Sequence, residues 1–184
     1  DDPRIRFYNL PYRGWRYPET AENHWLAGPV VPANKALEMV KGDWIARIDD
    51  DVSWTTDHLE VLLKHAQEND LEFVSASYET EENGNRKVHP GVRAASYYSR
   101  KQKVCNEGPI IGCTSNWLYR SYLKFMKYNI NCWRKSWNRV NDADLGNRIF
   151  KSGVRMGYVP EVLSYVLPRP GENQVGLKAY LSKA

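Results

Sequence analysis

From about residue 33 onward, apolar positions switch between the three-to-four-residue period of helices and the two-residue period of strands. Residues 33–41 place Leu37 and Val40 on one helical face, and Gly42 stops that helix. Trp44-Ile45-Ala46-Arg47-Ile48 then reads as a short, mostly apolar strand running straight into Asp49-Asp50-Asp51. A second helix starts at Thr56 as cap, carries Leu59, Leu62, Leu63 and Ala66 at helical spacing, and ends at Asn69-Asp70. Residues 71–78 alternate as a strand. The charged run 79–87 contains the turn pair Asn83-Gly84 and reads as an exposed loop or hairpin tip. Strands over 92–98 and 110–118 follow, with helices over 121–128 and 142–152. An extended segment over 154–167 is broken at Pro160, and the loop-like tail from Pro168 has room for a last helix. Strands and helices in alternation predict an α/β layer architecture.

Composition narrows the class. The chain has 184 residues, 42% hydrophobic and 26% charged, which predicts a single domain over 1–184 with an ordinary core. No apolar run approaches the roughly 20 residues that span a bilayer. Asp1-Asp2-Pro3-Arg4 lacks the basic stretch and apolar run of a secretion signal. Cys105, Cys113 and Cys132 are odd in number and show no Cys-x-x-Cys spacing, so neither a disulfide framework nor a zinc site is indicated. The expectation is a cytoplasmic protein with reduced thiols. A net charge of +4 suits acidic or polyanionic partners but is also ordinary solubility.

Two acidic motifs stand out. Carboxylates about 6–7 Å apart repel by roughly 2–3 kcal/mol at an effective dielectric near 20, and a dication removes that cost. Side-chain alternation along a strand would point Asp49 and Asp51 to one side and Asp50 to the other, giving a two-carboxylate claw. Oxygen ligands of this kind suit Mg²⁺ or Mn²⁺. The competing reading is a solvated turn in which Asp51 or Ser53 caps the segment downstream. Further on, Asn141-Asp142-Ala143-Asp144-Leu145 opens a helix, where exposed N–H groups and the macrodipole favour an ionised carboxylate able to accept a proton. Either aspartate could equally be a first-turn capping residue.

These motifs, in this order, carry a resemblance. Pro32-Ala33-Asn34-Lys35-Ala36-Leu37, Gly42-Asp43-Trp44-Ile45, Asp49-Asp50-Asp51, Asn116-Trp117-Leu118-Tyr119-Arg120, Asn141-Asp142-Ala143-Asp144-Leu145 and the run from Gly153 to Leu163 match segment by segment. The chain resembles the family 2 glycosyltransferases of the GT-A fold from about Leu10 to Tyr180. That implies a Rossmann-like nucleotide-diphospho-sugar transferase fold with a mixed central sheet flanked by helices. It also implies inverting transfer of a sugar from a nucleotide-diphosphate donor to a saccharide or lipid-linked hydroxyl, assisted by Mn²⁺ or Mg²⁺. By position, Asp51 and Asp49 hold the metal, Asp49, Asp50 and Asn34 serve the donor, and Asp142 is the general base. Asn141 stands where the family has a glutamate. The tail reads Leu167-Pro168-Arg169-Pro170-Gly171 in place of the family's histidine, and Arg169 is the candidate cation for the diphosphate. The family's first strand-helix-strand unit, which binds the base, has no counterpart, so the domain reads as truncated at its N-terminus. Asp1 to Leu10 resembles the strand that comes after that unit.

On the acceptor side, the resemblance points to Trp117, Asn141, Asp144 and Trp137. Residues 119–139 interleave Tyr122, Phe125, Tyr128, Trp133 and Trp137 with six lysines and arginines, a mixture able to stack sugars and meet phosphates at a membrane surface, so peripheral contact at the inner face is an expectation. The same mixture suits single-stranded nucleic acid, but no nucleic-acid fold motif accompanies it and the acidic sites would repel a phosphate backbone. Two other classes compete: a non-catalytic nucleotide-sugar or glycan-binding module, and a metal-dependent nuclease or phosphatase, for which too few acidic or histidine ligands are present.

Overall fold

A computed structural model of the chain describes residues 2–11, 17–97 and 105–182. The first helix, α1 (Ala21–Ala27), is started by Thr20, whose side chain accepts from the Asn23 N–H at 3.2 Å. After α2 (Val30–Met39) come β1 (Trp44–Ala46), β2 (Val52–Trp54), α3 (His58–Glu68), β3 (Phe73–Glu82), β4 (Asn85–His89), β5 (Val92–Tyr97), β6 (Cys105–Ile111) and β7 (Leu118–Arg120). Helix α4 (Asn141–Lys151), β8 (Met156–Val166) and α5 (Gly176–Leu181) complete the chain.

The main sheet runs β1-β7-β3-β8-β2, with β4 hydrogen-bonded to the outer half of β3, while β5 and β6 form a separate ribbon. Among the described residues only β3 and β8 pair in parallel, so the sheet is mixed, as the resemblance implies. Alternation sends Phe73, Trp117 and Tyr119 to one face, where they meet Leu37 of α2 and Leu145 and Ile149 of α4. Val74, Ala76 and Leu118 face the other way, onto Leu62 and Ala66 of α3. The result is a helix–sheet–helix sandwich. Among the described residues no helix is long and apolar enough to cross a membrane.

Several expected elements change where tertiary contacts override local pattern. Residues 110–118 are not one strand: β6 ends at Ile111 and a 3₁₀ turn over Thr114–Asn116 precedes β7. Gly112 causes the break. A Cβ there would lie 2.1 Å from the Ala76 carbonyl oxygen, so only glycine lets this turn sit on the backbone of β3. The expected break at Pro160 is a bulge inside β8: Ala76 pairs with Val159 and Ser77 with Val162, leaving Pro160 and Glu161 outside the register. The carbonyls of Ala76 and Ser77 instead accept from Asn116 Nδ2 at 3.2 and 2.8 Å.

Residues 121–128 form only a 3₁₀ turn, Ser121–Phe125, with Tyr122 and Phe125 exposed. Helix α3 begins at His58 with no side-chain cap, and residues 2–10 have no strand pairing. Helix α1 and strand β2 are too short for a periodic signal. Asn83 and Gly84 both have positive φ, the two-residue turn that closes the β3–β4 hairpin. Asp1 and Tyr98, expected at strand ends, lie outside the described residues.

Candidate active site

Strands β1 and β2 lie at opposite edges of the sheet, so the five residues 47–51 that join them cross its end. Three of these are the aspartates. They are not on a strand: Val52 N–H donates to the Asp49 carbonyl at 3.2 Å, closing a turn, which overturns strand alternation as the source of a claw. All three nevertheless line one cleft of about 440 Å³, and Asp142 and Asn141, at the start of α4, line the same cleft. The remaining wall comes from the junction of α1 and α2, the Thr114 turn, and the tail through Arg169 and Tyr180. Two acidic motifs some 90 residues apart thus converge, the start of α4 being held at the cleft by Thr114 on Asp142 and by Asn141 on the Leu26 carbonyl.

The three carboxylates differ in environment. Asp49 is already engaged: Arg47 Nη2 donates to Oδ1 at 2.6 Å and Ser115 Oγ donates to Oδ2 at 3.2 Å. Burial works against the charge on Arg47, but Tyr128 and Asp49 beside it outweigh that and raise its pKa, so it is a fixed cation. Asp50 is 85% exposed, whereas Asp51 is 25% exposed. Burial raises the Asp51 pKa from its ordinary value; Arg169 opposes that rise, and Asp50 and Asp49 add to it. Arg169 reaches Asp50 and Asp51 at 3.7 and 3.9 Å, and Tyr180 raises its own pKa.

Among the described residues no group of three or more His, Cys, Asp or Glu side chains is arranged to hold a metal. A Mg²⁺ or Mn²⁺ ion held by the two cleft carboxylates Asp51 and Asp49 would need water and phosphate oxygens to complete its shell.

Asp142 is held by two donors, Thr114 Oγ1 to Oδ2 at 3.1 Å and the Ala143 N–H to Oδ1 at 2.6 Å. Cys113, next to Thr114, has its thiol pushed up to about 12 by burial and by Asp142, and stays protonated. Asn141 donates to the Leu26 carbonyl at 2.9 Å, tying the start of α4 to α1.

Four expected site residues are placed elsewhere. Trp117 is 1% exposed, with its indole N–H donated to Gly112, and belongs to the core. Asp144 is 2% exposed and clamped between Lys135 and Arg148. Asn34 ties α2 to the backbone of Tyr128 through both ends of its amide. Trp137 lies between Lys135 and Lys151, away from the cleft. Conversely, Arg47, Thr114 and Ser115 emerge only from the structure. Arg47 had a faint signal, a cation two residues before the aspartates; Thr114 and Ser115 had none, since their partners are 28 and 66 residues away.

The sequence profile of glycosyl transferase family 2 matches residues 11–124, more than half of the chain. The match includes the acidic turn and ends before Asp142. A crystal structure of S. aureus TarS 1-349 in complex with UDP-GlcNAc superposes with a TM-score of 0.50 at 14% identity, covering 80% of this chain and 41% of that one. A second crystal structure of S. aureus TarS 1-349 gives 0.49 at 12% identity, over 76% and 40%. The chain thus spans about two fifths of the solved chains it resembles in fold. No curated protein sequence matches it.

Proposed function

Since the chain belongs to glycosyl transferase family 2, we propose that its cleft takes a nucleotide-diphosphate sugar and transfers the sugar, with inversion, to a saccharide or lipid-linked hydroxyl. The observation that carries this reading is the convergence of Asp49, Asp50 and Asp51 with Asp142 in one cleft. Asp51, with Asp49, would hold Mn²⁺ or Mg²⁺, which when bound offsets the charge developing on the departing diphosphate. Arg169 sits where it can turn from Asp50 and Asp51 to a phosphate oxygen.

Asp142 faces the cleft from the opposite element and accepts the proton of the acceptor hydroxyl. As that proton leaves, the acceptor oxygen bonds to the anomeric carbon. The bond from that carbon to the phosphate oxygen breaks, and its electron pair departs on the diphosphate. No enzyme nucleophile is needed. The GT-A likeness at 14% identity supports the fold of this reading, and the bound UDP-GlcNAc of S. aureus TarS makes that sugar nucleotide the first donor to try.

Asp142→Asn tests the assignment. Nucleotide release is followed with UDP-GlcNAc, UDP-glucose, GDP-mannose and dTDP-rhamnose, with Mn²⁺ and a mixed oligosaccharide pool. Turnover is expected to fall about 10²- to 10⁴-fold while calorimetric donor affinity holds, as loss of a general base requires. Unchanged turnover would remove Asp142 from the role, and donor binding without transfer by the parent chain would favour a binding module.

A further inference from the structure

The 3₁₀ turn over Thr114–Asn116 touches both halves of the site. Thr114 Oγ1 donates to Asp142 at 3.1 Å, and the adjacent Ser115 both donates through Oγ to Asp49 Oδ2 at 3.2 Å and accepts the Asp49 N–H at 3.1 Å. Two neighbouring hydroxyls, on Cα atoms about 3.8 Å apart, therefore hold the carboxylate of one acidic motif and that of the other.

Below the cleft this turn has little freedom. Gly112 rests on β3, Asn116 is bonded to the bulge carbonyls, Trp117 donates back to Gly112, and Trp54 Nε1 donates to the Ser115 carbonyl at 2.7 Å. Thr114, Ser115 and Asn116 are all buried. No other turn among the described residues bonds side chains of both acidic motifs.

We propose that this turn is the gauge of the site, with Thr114 a positioning residue for the acceptor-side base and Ser115 a positioning residue for the donor-side carboxylate. The inference rests on the transferase reading above. In-line displacement puts the attacking oxygen and the leaving diphosphate on opposite faces of one carbon, so the spacing of the groups that serve them enters the barrier directly. A misplacement of about 1 Å can cost on the order of 10²-fold. Hydrogen bonds to a charged carboxylate are strong enough to set such a spacing. The two hydroxyls also divide the work: Thr114 acts on the proton acceptor, Ser115 on donor binding.

Thr114→Val keeps the side-chain shape and removes the donor, Thr114→Ser keeps the donor, and Ser115→Ala removes the other hydroxyl. Each is assayed for nucleotide release with the same four donors, Mn²⁺ and acceptor pool, with donor affinity measured by calorimetry and folding by thermal melt. Thr114→Val is expected to lower kcat about 10-fold or more with donor KM and affinity unchanged, and Thr114→Ser to recover most of it. Ser115→Ala is expected to raise donor KM and Kd about 5- to 10-fold with a smaller change in kcat. Thr114→Val turning over like the parent, or Thr114→Ser failing with it, overturns the positioning role while leaving the transferase reading intact. A parent chain that releases no nucleotide from any donor overturns both.

Discussion

At Asp144 two cations meet one carboxylate. The side chain is 2% exposed, Arg148 Nε donates to Oδ2 at 2.9 Å from one turn further along α4, and Lys135 reaches Oδ1 from the preceding loop. A buried carboxylate costs several kcal/mol to desolvate unless it is paired in this way. Its neighbour Asp142, two positions earlier, faces the cleft, because residues two apart on a helix point to different sides. One motif thus supplies a candidate base and the anchor that fixes the helix presenting it. Asp144→Asn keeps the shape and removes the charge, and is expected to lower stability by about 2–3 kcal/mol in denaturant unfolding. A change within experimental error would mean that the clamp is weak. Trp117 gives the complementary lesson: an aromatic residue that looks suited to stacking a sugar lies instead edge-on to Phe73 with ring centres 5.1 Å apart.

At the scale of elements, α3 is tied to the rest of the sheet end through His58. Its Nδ1 donates to the Leu163 carbonyl of β8 at 2.8 Å, its ring stacks on Trp54 of β2 at 4.2 Å, and its Nε2 has no hydrogen-bond partner among the described residues. Protonation would place a charged N–H at that buried nitrogen, and burial accordingly lowers the His58 pKa. The sign comes from linkage. With a folded-state pKa below the unfolded value of about 6.5, the contribution is complete above that pH and is lost as pH falls below it. Thermal stability is expected to decline on acidification from pH 7 to 5, and His58→Gln to flatten part of that decline. Equal slopes in parent and variant would assign the pH dependence elsewhere, His89 being another histidine whose pKa is lowered, first by burial. Because Trp54 also donates to Ser115, the same small network braces the turn under the cleft.

Across the whole molecule, the cleft is assembled from the α1–α2 junction, the acidic turn, the Thr114 turn, α4 and the tail, and its acidic wall is only partly neutralised from within. Arg47 serves Asp49, while Arg169 stands 3.7 and 3.9 Å from Asp50 and Asp51, too far for a close ion pair. A dication at this wall would supply the missing positive charge and leave the diphosphate a partner to bind. Chelation with EDTA is therefore expected to weaken donor binding at least 10-fold in calorimetry, and Mn²⁺ to restore it. Full-strength binding in EDTA would take Asp49 and Asp51 out of the metal role.

Local pattern carries the α/β class, the turn at Asn83-Gly84, a helix over the second acidic motif, and the two motifs themselves. Helical period, turn chemistry and first-turn carboxylates are short-range properties, written within a few residues. The tertiary structure alone decided which members of each motif face the cleft. It turned the aspartate triplet out of a strand and into a turn, sent Trp117 and Asp144 inward, and recruited Arg47, Thr114 and Ser115. These outcomes depend on contacts made only after the sheet has formed, such as the packing of Gly112 on the Ala76 carbonyl, which leaves no room for a Cβ, and the bulge that claims Asn116. A hydroxyl that acts on a partner 66 residues away leaves no trace in the pattern around it.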